Sequence, residues 1–261
     1  MKIAITGKGG VGKTTLSAVL SYLYVSEGRR VVAVDADPDA NLAQAFGLSP
    51  EEIDGIRPIA ELTDVIAERT GARPGSMGGI FKLNPKVDDI PEEFGKRING
   101  LTLLVMGKSK EAASGCYCPE NVFLRSLLRH LVVERDEMVV VDMEAGIEHL
   151  TRGTAEGVDA FIVVVEPGQR SLQTAHQVKK MASGLGVKRV YVVANKVRND
   201  EDMKFIGSLL GDMVLLGAIA FRPQVMEADI SGEPPYKKSP DTVREVAKLK
   251  EVLEKCLGDT A

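Results

Sequence analysis

The chain has 261 residues, 44% of them hydrophobic and 27% charged, with a formal net charge of −4. That composition suits a globular protein with a sizeable core, and its acidic balance argues against a protein that coats nucleic acid. No apolar run is long enough to cross a membrane, no signal peptide is recognisable, and three cysteines without a secretory signal suit a reducing cytoplasm. The expected location is cytoplasmic, with neither a membrane nor a nucleic acid as partner.

Lys2-Ile3-Ala4-Ile5-Thr6 is a short β-type run that ends at Gly7. Gly7-Lys8-Gly9-Gly10-Val11-Gly12-Lys13-Thr14-Thr15 follows and fits G-x-x-x-x-G-K-[ST], the phosphate-binding loop. Its glycines let successive backbone N–H groups converge on phosphate oxygens. Lys13 is expected at the β- and γ-phosphates, and the Thr14 hydroxyl on Mg²⁺. Leu16, Val19, Leu20, Leu23 and Tyr24 recur at helical spacing, so the loop sits between a strand and a helix, as the motif requires.

Gly28 closes that helix, and residues 30–35 form a second, nearly all apolar strand that runs into Asp35-Ala36-Asp37-Pro38-Asp39. One acid there could cap the next helix, over 40–47. Three are better explained as groups that hold a metal or orient a water beside a nucleotide. Residues 49–100 are harder to read: a short helix over 61–69, a Gly-rich turn over 71–79 and a polar stretch over 84–91. They suggest a lid or a partner surface.

Residues 101–106 read as a third strand. Ser114-Gly115-Cys116-Tyr117-Cys118-Pro119 then precedes an amphipathic helix carrying Phe123, Leu124, Leu127, Leu128 and Leu131. Cys116 and Cys118 either fill space or bind a metal. Two thiolates do not complete a tetrahedral site, and His130 lies about 18 Å farther along the helix. A two-fold dimer would supply four thiolates, so the C-x-C pair bears on assembly. Residues 138–142 form a fourth strand ending in Asp142, as a Walker-B strand does. Met143 to His149 reads as a γ-phosphate-sensing switch, with Gly146 free to turn its N–H toward phosphate and His149 a solvated polar residue, a partner contact or a further ligand.

Strands at 160–166 and 189–194 follow, separated by a helix over 171–184 in which His176 is expected at the surface. Asn195, at the end of the second of these strands, has an amide able to pair with an adenine edge. A last strand over 214–220 leads to Phe221-Arg222-Pro223 and a final helix over 239–257. Arg244, Glu245, Lys248, Lys250, Glu251, Glu254 and Lys255 give that helix a solvated polar face of mixed sign, which favours packing on the sheet over lying on a membrane. Its Cys256 reads as a core filler. The alternation predicts one α/β domain over 1–261, a doubly wound, mostly parallel sheet with helices on both faces.

The loop, read as Lys8-Gly9-Gly10-Val11-Gly12-Lys13-Thr14, resembles that of the deviant-Walker-A ATPases, the group of MinD, nitrogenase iron protein and ArsA. The likeness extends to Asp35-Ala36-Asp37, Asp142, Asn195 and Phe221-Arg222-Pro223. Within that group, Gly115-Cys116-Tyr117-Cys118-Pro119-Glu120-Asn121 and Asp142 to Leu150 are similar to the CooC-type accessory ATPases. The resemblance implies a cytoplasmic Mg²⁺-dependent ATPase that forms an ATP-sandwiched homodimer and assists nickel insertion into carbon monoxide dehydrogenase or acetyl-CoA synthase.

It implies catalytic roles for Lys13, for Lys8 reaching across the dimer to the partner's nucleotide, and for Asp37 aligning water. Mg²⁺ would be held by Thr14, Asp37 and Asp142. Nucleotide contacts would come from Gly7 through Thr15 and from Asn195, Arg222 and Pro223. Cys116 and Cys118 would bind Ni²⁺ or Zn²⁺ between subunits. No cysteine lies between Cys118 and Cys256, which departs from the two separated cluster cysteines of nitrogenase-type reductases. Two alternatives stay open: a positioning ATPase of the MinD or ParA kind, and an iron–sulfur carrier or electron donor built on four interfacial thiolates.

Overall fold

Five strands, β1 Lys2–Thr6, β2 Val31–Asp35, β4 Leu101–Val105, β5 Met138–Asp142 and β6 Ala160–Val165, are buried at every residue. Such Val- and Ile-rich runs form where helices cover both faces of a parallel sheet. β7 Val190–Val197 and β8 Val214–Ala220 continue the sheet on one side and the short β3 Lys96–Ile98 ends it on the other, so the eight strands lie in the order β3-β4-β2-β5-β1-β6-β7-β8. The computed structural model describes residues 1–74, 82–107, 119–134, 137–145, 157–187 and 189–258.

The parallel sheet agrees with expectation, and one strand does not. β3 Lys96–Ile98 pairs antiparallel with β4, in a section expected to be irregular. Its Asn99-Gly100 turn has both residues at positive φ, 42° and 93°, the combination a two-residue hairpin requires. The same section contributes α3 Pro50–Asp54, α4 Thr63–Thr70 and α5 Ile90–Phe94, after α1 Lys13–Ser26 and α2 Leu42–Ala45. Ile59, Leu62, Ile66 and Ile90 are fully buried there, so residues 49–100 help to build the core.

Beyond α6 Pro119–Arg129 come α7 Gln169–Gly184, α8 Asp200–Leu209, α9 Pro223–Ser231, α10 Pro235–Lys238 and α11 Pro240–Gly258. One core face joins α1 and α11 to the sheet through Leu16, Val19, Val246, Leu249 and Leu253. The opposite face holds Phe123, Leu127, Leu131 and Ile66. Among the described residues no helix is long and apolar enough to cross a membrane. α11 packs on the sheet as its apolar stripe predicts, but Lys250, expected on the solvated side, is buried. Its ammonium bonds Glu27 at 2.8 Å and Glu254 at 3.2 Å and lies 5.0 Å from the centre of the Tyr24 ring. His176 is exposed and its Nε2 meets the Leu209 carbonyl at 2.8 Å. Cys256 is half-buried against the core.

β1 is where chain order reverses, with β5 on one side and β6 on the other. In open α/β sheets the ligand crevice lies at the carboxyl ends of the strands at such a point.

Candidate functional site

The loop leaves β1 at Gly7, whose φ is +147°. A Cβ there would lie 2.5 Å from the Val164 carbonyl oxygen, so only glycine fits without displacing β6. The chain crosses to Gly12, at φ 96°, and α1 begins at Lys13. The N-terminus of a 14-residue helix thus faces the space the loop encloses, where its partial positive charge favours an anion.

Lys13 is buried, and its Nζ lies 3.4 Å from Asp37 Oδ2. Asp35 and Asp142 are register partners on adjacent parallel strands, and neither is exposed at all. Their surroundings differ. Asp35 Oδ2 accepts the Leu42 N–H at 2.8 Å and Oδ1 accepts the Asp37 N–H at 3.3 Å. It therefore anchors the turn that carries Asp37 and the start of α2. Burial still raises its pKa to about 6 against those hydrogen bonds.

Both carboxylate oxygens of Asp142 are buried without a partner in hydrogen-bonding geometry among the described residues. Burial raises its pKa to about 7, with the charges of Asp35 and Asp37 adding and the neighbouring Thr14 hydroxyl and Lys13 opposing. An orphaned carboxylate costs stability unless something satisfies it. Asp142, the Thr14 hydroxyl and Asp37 form a set of hard oxygen donors, the type Mg²⁺ takes together with phosphate oxygens and water. The residues fit the ion.

In front of these groups opens a cleft of about 510 Å³, lined by Gly9, Gly10, Gly12, Lys13, Thr14, Thr15 and Asp37 at the loop end. Asp39, Asn41 and Gln44 form one wall, and Val225, Met226, Asp229, Glu233 and Pro235 of α9, α10 and their connection form the other. Glu144 also lines it, its carbonyl held by the Thr6 hydroxyl at 2.5 Å.

Three expected nucleotide contacts are placed differently. Asn195 Nδ2 donates to the Val11 carbonyl at 2.7 Å and Oδ1 accepts the Lys196 N–H at 2.9 Å, so the amide expected at a base edge is committed to the loop. Arg222 bonds Glu245 at 2.6 Å and pairs with Asp241 at 3.4 Å, both on α11. Neither Arg222 nor Pro223 borders the cleft, though Pro223 opens the helix that does. Lys8 is half-buried in the loop and also stands outside the cleft lining. Cys116, Cys118, Gly146 and His149 lie outside the described residues. Among the described residues no group of His, Cys, Asp and Glu is arranged to hold a metal by itself.

Sequence reasoning passed over the wall made by α9 and α10, and over Lys196. Its Nζ reaches the Gly10 carbonyl at 2.6 Å and Glu166 at 3.3 Å. No spacing rule brings residues 196 and 166 to residue 10.

Residues 2–236 match the family model described as the CobQ/CobB/MinD/ParA nucleotide binding domain. The chain is 49% identical over 240 residues to the carbon monoxide dehydrogenase accessory protein CooC of Rhodospirillum rubrum, covering 92% of this chain and 91% of that one. It is 47% identical over 237 residues to an uncharacterized ATP-binding protein of Methanocaldococcus jannaschii, 90% of each chain. Among solved structures, MinD of Pyrococcus horikoshii complexed with Mg-ADP superposes with a TM-score of 0.67 at 22% identity, covering 100% of this chain and 98% of that one. A ParA family ATPase of Chlorobium tepidum gives 0.70 at 17% identity, covering 97% and 98%. By its loop, sheet order and sequence, the chain belongs to the CobQ/CobB/MinD/ParA nucleotide-binding family, as an ATPase of the CooC type.

Proposed function

We propose that this ATPase is a metallochaperone that assists nickel insertion into a nickel–iron–sulfur enzyme, carbon monoxide dehydrogenase or acetyl-CoA synthase. The observation that carries the reading is the 49% identity to CooC across nine-tenths of both chains. The C-x-C pair at Cys116 and Cys118 supports it, since two copies together supply the four thiolates a closed tetrahedral site requires. In this reading the chain works in the cytoplasm as one ATPase domain, and ATP and the cargo metal, Ni²⁺ or Zn²⁺, both favour its homodimer.

The chemistry follows from the cleft. Bound Mg²⁺ would neutralise charge on the β- and γ-phosphoryl oxygens, held by Thr14 and Asp142, with Asp37 beside them. Lys13 lies where it can offset charge that grows on the bridging oxygen during phosphoryl transfer. Asp37 is half-buried and paired with Lys13 at 3.4 Å, a place from which its carboxylate can orient an attacking water. Lys8, outside the cleft of its own subunit, acts on the partner's nucleotide. Half of the catalytic charge then arrives with the second copy. Turnover of the isolated protein is accordingly slow, and hydrolysis times metal release.

The metal reading is tested by titrating Ni²⁺ and Zn²⁺ into the double variant Cys116→Ala/Cys118→Ala while following assembly by sedimentation. Loss of metal binding and of the metal-linked dimer is expected, with ATP binding retained. Metal binding as tight as the parent's would sink the proposal. A separate experiment addresses the shared site: Lys8→Ala should bind ATP normally but lose about 10²–10³ in kcat, as expected for removing one pre-organised positive group. Full hydrolysis by that variant would remove the cross-subunit role.

A further inference from the structure

We propose that Tyr22, Gly47, Pro234 and Tyr236 form a latch through which occupancy of the cleft moves helix α9 and its exposed apolar face. The latch stands apart from the groups that meet the ligand, since none of the four residues borders the cleft. It joins segments that chain order keeps far apart. The rings of Tyr22 on α1 and Tyr236 on α10 stack with centroids 4.3 Å apart and planes 2° from parallel. The Tyr236 hydroxyl donates to the Phe46 carbonyl at 3.4 Å. Gly47, at φ +79°, approaches the Pro234 ring so closely that a Cβ would lie 2.7 Å from its Cγ and Cδ. Stacked rings and a glycine pressed on a proline tolerate little sliding, so a shift on one side is carried to the other.

On the near side of the latch is a lever that starts in the cleft. Asp35 Oδ2 accepts the Leu42 N–H at 2.8 Å and Oδ1 accepts the Asp37 N–H at 3.3 Å. One buried carboxylate thus fixes both the Asp37 turn and the start of α2, whose Gln44 and Ala45 line the cleft. The Gly47 N–H donates to the Gln44 carbonyl at 2.8 Å, and the Leu48 N–H to the Ala43 carbonyl at 3.3 Å. Leu42, Phe46 and Leu48 are buried. Residues 42–48 therefore move as one piece, and whatever repositions the Asp37 turn also displaces Gly47 and the Phe46 carbonyl.

On the far side is a helix with little to hold it. Ala228 is the one buried residue of α9, whereas Met226 is 56% exposed and Ile230 84%. Elements with so few buried contacts have low local stability and are the ones that move. The first turn of α9 is secured through Arg222, which pairs with Glu245 and Asp241 of α11. Its last turn is secured only through the latch. Gly232, at φ 67°, ends the helix, and the Glu233 N–H returns to the Ala228 carbonyl at 3.0 Å; Pro234 follows directly. With one end held on α11, displacement of Pro234 and Tyr236 swings the end that carries Ile230. A magnesium nucleotide that engages Asp37 biases that position, and occupancy of the cleft is read on the outer face of α9. The inference needs only the nucleotide cleft and stands whether or not the metal reading does.

The chain has no tryptophan, so Ile230→Trp supplies a single reporter at an exposed position outside the cleft lining. Its emission and acrylamide quenching are compared without nucleotide and with saturating Mg-ADP. The same comparison is made after adding Tyr22→Ala, Tyr22→Phe or Gly47→Ala. The parent reporter should differ between the two states. Tyr22→Ala and Gly47→Ala should each remove at least about half of that difference, while the calorimetric Kd for ADP stays within about fivefold of the parent's, because the latch carries coupling rather than ligand contacts. Tyr22→Phe keeps the stacked ring and should respond as the parent does. Identical emission and quenching in both states of the parent reporter would overturn the latch. A parent-like response in Tyr22→Ala would do the same, and that variant should fold because Tyr22 is 39% exposed. Loss of the response in Tyr22→Phe would also overturn it, and a larger rise in Kd would place the effect in the cleft itself and count against it equally.

Discussion

Replacing Lys13 with alanine should reduce kcat/KM for Mg-ATP by about 10²–10³, the loss typical of one pre-organised charge at a developing transition state. Its place explains the size. Lys13 is 6% exposed, so its ammonium is poorly screened, and the start of α1 and the loop amides converge on the same volume. The variant also leaves Asp37 without the partner that now sits 3.4 Å away, adding an uncompensated carboxylate beside a polyanionic ligand. ADP affinity should fall with ATP affinity, because the lysine serves bound phosphates as well as the transition state. Steady-state hydrolysis and ADP calorimetry on the folded variant check both points. A loss in kcat smaller than about tenfold would show that another cation carries the role.

Asp142→Asn should do two opposite things. Without Mg²⁺ and nucleotide it should raise stability at pH 7.5, and with them it should reduce hydrolysis about 10–100-fold or more, as for loss of a group that orients a metal. The stability effect follows from burial. The Asp142 carboxyl holds its proton up to about pH 7 in the folded protein, against an ordinary value of 3.8. Between those values the folded state binds the proton and the unfolded state does not, so stability falls as pH rises from about 4 to about 7. Above pH 7 the full cost of burying the ionised form is present. The isosteric amide escapes that cost, and each pKa unit of difference corresponds to about 1.4 kcal/mol.

After relaxation of the site a gain of roughly 2 kcal/mol, or about 4–8 °C in melting temperature, is expected at pH 7.5. Asp35, raised to about 6 by its own burial, acts in the same direction. Its contribution persists in the variant, leaving a shallower decline that ends near pH 6. Melting temperatures measured across pH 4–8 in EDTA decide the matter: a profile parallel to the parent's would mean that Asp142 is not the group responsible. The combination of higher stability and lost activity is the mark of a site whose electrostatic cost is met only by its ligand.

The legibility of the chain was uneven for physical reasons. The strands β1, β2, β4, β5 and β6 are continuous apolar runs because both sheet faces are covered, and such runs stand out in a sequence. β3 did not stand out, since Lys96-Arg97-Ile98 is short and two of its three residues are charged. Its clearest signal was the Asn99-Gly100 turn, which passed unread. α8 was equally open to detection: Asn199 caps it through the Asp202 N–H at 2.9 Å, and acids fill its first turn. α9 offered little, because Ala228 is its one buried residue and an almost wholly exposed helix leaves no apolar stripe. Lys250 was misplaced since its partners, Glu27 and the Tyr24 ring, come from a helix more than two hundred positions away.

By itself the sequence determined the phosphate loop, the acids at the ends of β2 and β5, and the alternation that yields a parallel sheet. These depend on residue types at short spacing, where backbone geometry is local and repeatable. Tertiary structure alone decided what each polar group touches. Pairing β2 with β5 set Asp35 beside Asp142, then gave one of them backbone donors and left the other bare. It moved the Asn195 amide from a base edge to the Val11 carbonyl, drew Arg222 to α11, and brought Lys196 onto Gly10. Hydrogen bonds and burial join residues that chain order keeps far apart, and no local pattern encodes them.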